Sequence, residues 1–284
     1  MTGVIVKAIS GFYYVFADNR VIECKARGSL RKTGTPLVGD VVEISLTGNG
    51  GVVEKIKERK NSFVRPPIAN VDRLFIVSSF ANPAPNTLLI DKMTLLCRKY
   101  DIEPVIVFNK SDMGDFSQYK DIYQSAGFKT FVISCENNEC VEQIKDEITG
   151  ICAFTGNSGV GKSTILNSLF PELNLKTGDV SQKLGRGRHT TRHTELYKTE
   201  QGFVADTPGF SSLDVLDIEK EDVIYLFKEF KQCIGQCKFT SCSHTKEKGC
   251  AVLEKVEKGE IPKSRFESYL AIYEQLKSIN KYKK

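Results

Sequence analysis

No stretch of this 284-residue chain approaches the roughly 18 consecutive apolar residues that a membrane-spanning helix needs, so neither a membrane-embedded function nor a membrane partner is expected. The opening Met-Thr-Gly-Val-Ile-Val-Lys has no basic region, apolar run or cleavage site. It does not read as a secretory leader, and the cytoplasm is the expected compartment. There is no internal repeat and no low-complexity run, which sets repeat architectures aside. Nine cysteines are present, but in a reducing compartment they do not form a disulfide framework. Four of them, Cys233, Cys237, Cys242 and Cys250, crowd into one short segment, the pattern of a metal site.

What is there is ordinary in bulk and uneven in detail. Hydrophobic residues make up 40% and charged residues 26%, and the length suits two or three globular domains. The net charge of +5 is distributed as two basic ends around an acidic middle. Residues 1–66 carry eleven Lys/Arg against six Asp/Glu, residues 67–220 sixteen against twenty, and residues 221–284 thirteen against nine. Basic ends suggest that both face a polyanion.

Residues 1–60 read as five short strands, Val4–Ile9, Phe12–Phe16, Arg20–Lys25, Asp40–Leu46 and Gly51–Ile56, separated by glycine and Asp-Asn turns. Five strands in so short a span suit a small barrel of the OB-fold type, a common single-stranded nucleic-acid binder. Lys7, Arg20, Lys25, Arg27, Arg31 and Lys32 accompany Phe12, Tyr13, Tyr14 and Phe16, a mixture suited to phosphate neutralisation and base stacking. Alternation should bury about half of these aromatics in the barrel. Arg65-Pro66-Pro67 reads as a linker. From Val71 strands alternate with helices in the α/β manner. The strands are Leu74–Ser78, Val105–Phe108, Thr130–Ile133, Ile151–Thr155, Glu195–Lys198 and Phe203–Ala205; the helices are Thr87–Tyr100, Phe116–Ala126, Val141–Ile148 and Ser163–Phe170. Beyond Asp217 the chain turns helical, with Val223, Leu226, Phe227 and Phe230 at helical spacing. Ser264-x-x-Glu267 reads as a capping box opening a last helix whose stripe is Phe266, Tyr269, Leu270, Tyr273 and Leu276.

The nucleotide chemistry is concentrated in five motifs. Gly156-Asn157-Ser158-Gly159-Val160-Gly161-Lys162-Ser163, flanked by Thr155 and Thr164, fits the phosphate-loop pattern G-x-x-x-x-G-K-[ST] without a mismatch. Glycines let backbone N–H groups turn inward around nucleotide phosphates, Lys162 reaches the β/γ oxygens, and the Ser163 hydroxyl ligates Mg²⁺. Asn109-Lys110-Ser111-Asp112, directly after a strand, matches the guanine-reading N-K-x-D of Ras-like GTPases. Its aspartate accepts from the guanine N1–H and 2-amino group, which adenine cannot supply, so a wrong base leaves the carboxylate unpaired. Asp206-Thr207-Pro208-Gly209 matches D-x-x-G, with Asp206 acting on Mg²⁺ through its water shell and the Gly209 N–H facing the γ-phosphate. Ser134 and Cys135 end a strand where a further base-contacting loop is expected. In the segment Gly187-Arg188-His189-Thr190-Thr191-Arg192-His193 a threonine completes the Mg²⁺ shell, Thr191 being favoured over Thr190.

The order of these motifs is displaced. N-K-S-D and Ser134 precede the phosphate loop, whereas a standard GTPase runs phosphate loop, first switch, D-x-x-G, N-K-x-D. The domain therefore reads as circularly permuted. Phe210 stands where Ras-type enzymes carry the glutamine that orients the attacking water, so slow intrinsic hydrolysis is expected. His189, or else His193 or a partner, is the candidate for positioning that water. At the far end, Cys237-x4-Cys242-x-His244-x5-Cys250 offers three thiolates and an imidazole, a closed tetrahedral set for one structural Zn²⁺. Cys233 is a rival for the first position.

Taken together, Pro36-x-x-Gly39-Asp40, Asn86-x-x-Leu89-Ile90-Asp91, N-K-S-D, the phosphate loop, the R-H-T-T loop, D-T-P-G-F and the Cys3His pattern resemble the RsgA (YjeQ/YloQ) family of circularly permuted GTPases. The resemblance implies an OB-fold barrel at 1–66, a permuted α/β P-loop GTPase domain at 67–217 and a mainly α-helical zinc-binding domain at 218–284. It also implies a monomer that binds GTP and GDP with Mg²⁺ and contacts the 30S ribosomal subunit and its 16S rRNA near the decoding region. Assistance to late 30S maturation, release of another factor and subunit-stimulated GTP hydrolysis are implied as well. The residues alone support a GTPase with two basic flanking domains, and a nucleotide-dependent RNA-binding switch acting on another particle is the alternative.

Overall fold

The computed structural model describes residues 1–28, 30, 34–48, 50–80, 84–173, 175, 194–206 and 215–280. The first five strands are β1 (Thr2–Ile9), β2 (Phe12–Ala17), β3 (Arg20–Ala26), β4 (Val41–Thr47) and β5 (Gly50–Ile56). They run β1-β2-β3-β5-β4, and β4 returns to pair with β1, closing the barrel. Alternation sends Ile5, Val15, Ile22, Cys24, Val42, Ile44 and Val53 inward. A five-stranded barrel has a narrow interior, and these compact side chains fill it. The expectation that half of the β2 aromatics would fill that interior is corrected: Phe12, Tyr13, Tyr14 and Phe16 are all half-buried, while Val15 and Ala17 are the buried residues of that strand. Phe16 instead packs edge-on against Phe203 of the next domain, 5.7 Å between centroids.

Arg65-Pro66-Pro67 is not a free linker. It belongs to the turn between two short paired strands, β6 (Ser62–Phe63) and β7 (Ile68–Ala69). Next come β8 (Arg73–Ser79), α1 (Thr87–Lys99), β9 (Glu103–Asn109), α2 (Ser117–Ser125), β10 (Lys129–Ile133), α3 (Glu142–Lys145), β11 (Gly150–Thr155), α4 (Lys162–Leu169), β12 (Glu195–Lys198) and β13 (Gly202–Asp206). Their sheet order is β10-β9-β8-β11-β13-β12, parallel except for β12. Helices cover both faces, so the central strands are apolar throughout. Phe75 and Val77 point to the core under α3 and α4, whereas Leu74 and Ile76 join the core shared with the barrel and the C-terminal region. The third helix is one turn, shorter than the expected Val141–Ile148.

The C-terminal region differs most from expectation. Val223, Leu226, Phe227 and Phe230 do not lie on one helix. α5 (Val223–Leu226) ends at an extended Phe227 and a 3₁₀ stretch follows at Lys228–Cys233. Burial explains the break, because Phe227 and Phe230 are both fully buried and stack 5.0 Å apart. Then come α6 (Ala251–Glu257), absent from the sequence reading, and α7 (Lys263–Asn280). The Ser264 capping box is not formed: α7 begins at Lys263, directly after Pro262, and Ser264 Oγ is buried without a hydrogen-bond partner. Proline at the entry supplies the fixed φ that a cap would otherwise organise. The stripe of α7 is core as expected, with Phe266, Tyr269 and Leu276 buried.

Candidate nucleotide site and metal centre

Parallel strands place their C-terminal ends on one edge, where ligands of open α/β sheets collect. β9 ends at Asn109, β10 at Ile133, β11 at Thr155 and β13 at Asp206, so three motifs far apart in sequence and the first residue of a fourth lie along that edge. The loop from Gly156 to Gly161 turns sharply, with φ of +140°, +81° and +97° at Gly156, Gly159 and Gly161. It lies tight on its neighbours. A Cβ at Gly156 would be 2.1 Å from the Val77 carbonyl oxygen, and one at Gly161 would be 2.3 Å from Asn109 Nδ2.

Lys162 opens α4 and donates from Nζ to the carbonyl oxygens of Gly156 (2.8 Å) and Asn157 (2.9 Å). Burial lowers its pKa, which raises the gain from an anionic partner. Asn157, Ser158, Gly159 and Thr164 are exposed along the rim, Ser163 is half-buried, and Val160 is anchored in the core. Thr155 Oγ1 is buried and unpartnered beneath the loop. Beside it lies a cavity of about 290 Å³, bordered by the loop, Lys110 and the Asn86, Leu89 and Met93 side of α1.

The candidate base-reading motif is joined to this loop directly. Buried Asn109 donates from Nδ2 to the Val160 carbonyl oxygen (3.0 Å) and accepts at Oδ1 from the Cys135 N–H (3.4 Å). Lys110 adopts a left-handed backbone (φ +66°), turning Ser111–Met113 into a 3₁₀ turn that leaves the Asp112 side chain exposed. Ser134, fully buried, donates from Oγ to Asp112 Oδ1 at 2.5 Å and accepts from the Asn137 N–H at 3.2 Å. Burial, reinforced by the Asp112 charge, pushes the Cys135 thiol up to about 11. Asp206 ends β13 opposite Glu195 of β12. His189, Thr190, Thr191, His193, Gly209 and Phe210 lie outside the described residues.

A second constellation sits in the C-terminal region. One ligand atom from each of Cys237, Cys242, His244 and Cys250 lies within 4.8 Å of all the others. His244 Nδ1 is 3.4 Å from both Cys237 Sγ and Cys250 Sγ. Tetrahedral zinc with bonds of about 2.3 Å to sulfur and about 2.0 Å to nitrogen requires separations of this size, so the donor set fits the metal. Cys233 is buried nearby but outside the set. Burial, with the neighbouring Cys250 and Cys237 thiols, pushes the Cys242 thiol up to about 12, and a dication would reverse that preference by taking the thiolate. Residues that the sequence reading missed hold this loop. Glu247 accepts from the Ser243, Thr245 and Lys246 N–H groups, the Ala251 N–H points at Cys237 Sγ (3.3 Å), and Tyr269 donates to the Ser243 carbonyl oxygen (2.8 Å).

Residues 56–216 match the family model for RsgA GTPase, and residues 2–53 match the RsgA N-terminal domain. The chain belongs to the RsgA GTPase family. Over 291 aligned residues it is 44% identical to the small ribosomal subunit biogenesis GTPase RsgA of Clostridium botulinum (strain 657 / Type Ba4), with 100% of each chain covered. It is 46% identical over 284 residues to the protein of that name from a Geobacillus species (strain WCH70), covering 97% of each. Two solved structures have the same fold at a TM-score of 0.83. One is YjeQ from Thermotoga maritima, 35% identical, covering 97% of this chain and 98% of that one. The other is YloQ, described as a circularly permuted GTPase, 36% identical, covering 98% and 95%. The chain is thus a GTP hydrolase with a permuted GTPase domain between an N-terminal barrel and a C-terminal Cys3His region. Among the described residues, no helix is long and apolar enough to cross a membrane.

Proposed function

We propose that this GTPase acts in biogenesis of the small ribosomal subunit, binding the 30S particle and its 16S rRNA as a cytoplasmic monomer and hydrolysing GTP slowly until the subunit stimulates it. The observation that carries the nucleotide assignment is the Asn109 bridge. One side chain ties the Val160 carbonyl of the phosphate loop to the Cys135 amide of the base loop. This bridge supports a reading in which base recognition and phosphate binding are coupled through one side chain, a form of the preorganisation that favours nucleotide binding.

In this reading Asp112, steadied by Ser134, accepts from the guanine edge, with Lys110 and Ser111 shaping the turn and Cys135 closing the base pocket. Thr155 to Thr164 enclose the phosphates through their backbone N–H groups, and Lys162 exchanges its two carbonyl partners for phosphate oxygens. Ser163 and Thr191 would hold Mg²⁺, whose charge would offset that of the phosphates, with Asp206 and the Gly209 N–H as the further groups of this part of the site. His189 positions the attacking water in the absence of a glutamine at Phe210. Cys237, Cys242, His244 and Cys250 hold one structural Zn²⁺. Domain limits near residues 66 and 217 complete the assignment.

The test is GTP turnover by the full chain alone, with purified 30S and with purified 50S particles. Acceleration by 30S only is expected. Equal acceleration by 50S, or none by either, overturns the ribosomal assignment in favour of a switch on another RNA.

A further inference from the structure

The four residues between Cys237 and Cys242 carry the one large apolar side chain of that turn. Phe239 is 49% exposed and makes no ring–ring contact among the described residues. Its neighbours in the turn, Lys238, Thr240 and Ser241, are exposed as well. The turn itself is well anchored. The Cys242 N–H donates to the Phe239 carbonyl oxygen at 3.3 Å, and the Lys238 N–H donates to the Gly249 carbonyl oxygen at 2.9 Å, with both flanking cysteines in the metal set. An exposed phenyl ring on a fixed backbone forfeits burial, yet it is held ready for contact at small ordering cost.

Charge decides what it fits. Lys238 Nζ stands 5.7 Å from the Phe239 ring centroid, and Lys246 and Lys248 are exposed on the same loop. The single acid between Cys237 and Cys250 is Glu247, and its carboxylate is spent on three backbone N–H groups and the Ser243 hydroxyl. Burial raises and those hydrogen bonds more than offset its pKa, which lies at about 2, so the carboxylate stays an acceptor turned inward. The loop therefore presents one lysine beside the aromatic face and two more exposed further along the same loop. A protein hot spot needs a desolvated apolar cluster; here the ring is bordered by Lys238, Thr240 and Ser241.

We propose that Phe239, with Lys238 beside its ring and Lys246 and Lys248 exposed on the same loop, is a stacking platform for an unpaired RNA base, with the lysines on the flanking phosphates. This rests on the RNA-bearing particle assigned above and adds the contact itself. Stacking on an aromatic face is tolerant of base identity, and the lysines make it salt-dependent.

The experiment uses the full-length, zinc-loaded chain with a non-hydrolysable GTP analogue. Two probes are titrated, purified 30S particles and a short oligoadenylate. Phe239→Leu keeps apolar bulk without a π-face, and Phe239→Tyr keeps the π-face; metal content and particle-free GTP turnover are measured for both. Phe239→Leu is expected to weaken both interactions about tenfold, with Phe239→Tyr within about twofold of the unmodified chain and both retaining zinc. Phe239→Leu binding like the unmodified chain on both probes overturns the stacking, and loss on 30S alone assigns Phe239 to a ribosomal protein instead. If the unmodified chain fails to bind 30S, the ribosomal assignment falls. The oligoadenylate comparison of Leu against Tyr then still decides the stacking.

Discussion

Arg265 of the last helix and Asp91 of α1 form an ion pair in which both side chains are 0% exposed. The same guanidinium bonds from Nε to Glu229 at 2.6 Å and lies 4.6 Å from the Phe227 ring centroid and 5.3 Å from that of Phe128. Burial acts first on Asp91 and raises its pKa, with the Arg265 charge opposing it. One arginine thus joins the GTPase domain to the C-terminal region through charges that water cannot screen.

Arg265→Ala should cost about 3–5 kcal/mol, because it strands two buried carboxylates. The combined change Arg265→Met, Asp91→Leu, Glu229→Met should recover most of that loss. Denaturant unfolding of both variants checks the prediction, and equal destabilisation by the two would refute it.

Gly161→Ala should cripple nucleotide binding while the fold survives. The new Cβ meets Asn109 Nδ2 at 2.3 Å on a backbone with φ of +97°. Strain of about 1–3 kcal/mol is expected, and because Asn109 also holds the base loop, affinity should drop by at least about tenfold. Titration with a fluorescent GDP measures it.

Ser134→Ala removes a part-buried hydrogen bond to a carboxylate, worth about 1.5 kcal/mol. GDP affinity should fall about tenfold with the adenine nucleotides still rejected. Asp112→Asn should instead move the preference towards xanthosine nucleotides, and competition binding with the three bases separates the two effects.

Metal retention should discriminate Cys237, the favoured first ligand, from its rival Cys233. Cys237→Ser should lose zinc to a mild chelator at least about tenfold faster than the unmodified chain, and Cys233→Ser should not. Metal release followed with a colorimetric indicator decides it; identical behaviour of the two variants would exclude the Cys237 set.

The Cys135 thiol, pushed up to about 11, stays protonated at neutral pH. Its alkylation rate should therefore rise about tenfold per pH step until pH nears that value. Exposed Cys140 should be labelled first at pH 7, as mass spectrometry of the alkylated peptides would show. Bound GDP should protect Cys135 further.

Much of this protein was legible in one dimension because its signals are local. Barrel strands show two-residue alternation, the phosphate loop needs glycines at fixed offsets, and N-K-S-D follows its strand directly. The permutation could be read from motif order alone. Where reading failed, long-range packing had overridden local preference. Phe227 and Phe230 sit at helical spacing, yet burying both rings against Tyr269 breaks the helix between them. Ser264 has the sequence of a cap, yet the helix already begins at Lys263, directly after Pro262. The β2 aromatics are all half-buried instead of alternating, and Phe16 found its partner in Phe203, about 190 residues away.

By itself the sequence determined the nucleotide chemistry, the motif order and the metal-binding residue types, since each depends on a few residues close together in the chain. Only the tertiary structure decided that the four favoured ligand atoms converge while Cys233 stays outside them, that Asn109 ties the Cys135 segment to the phosphate loop, and that Arg265 is buried between Asp91 and Glu229. Those outcomes depend on distances between segments, and a charge enters a core only where folding has already brought its counter-charges together.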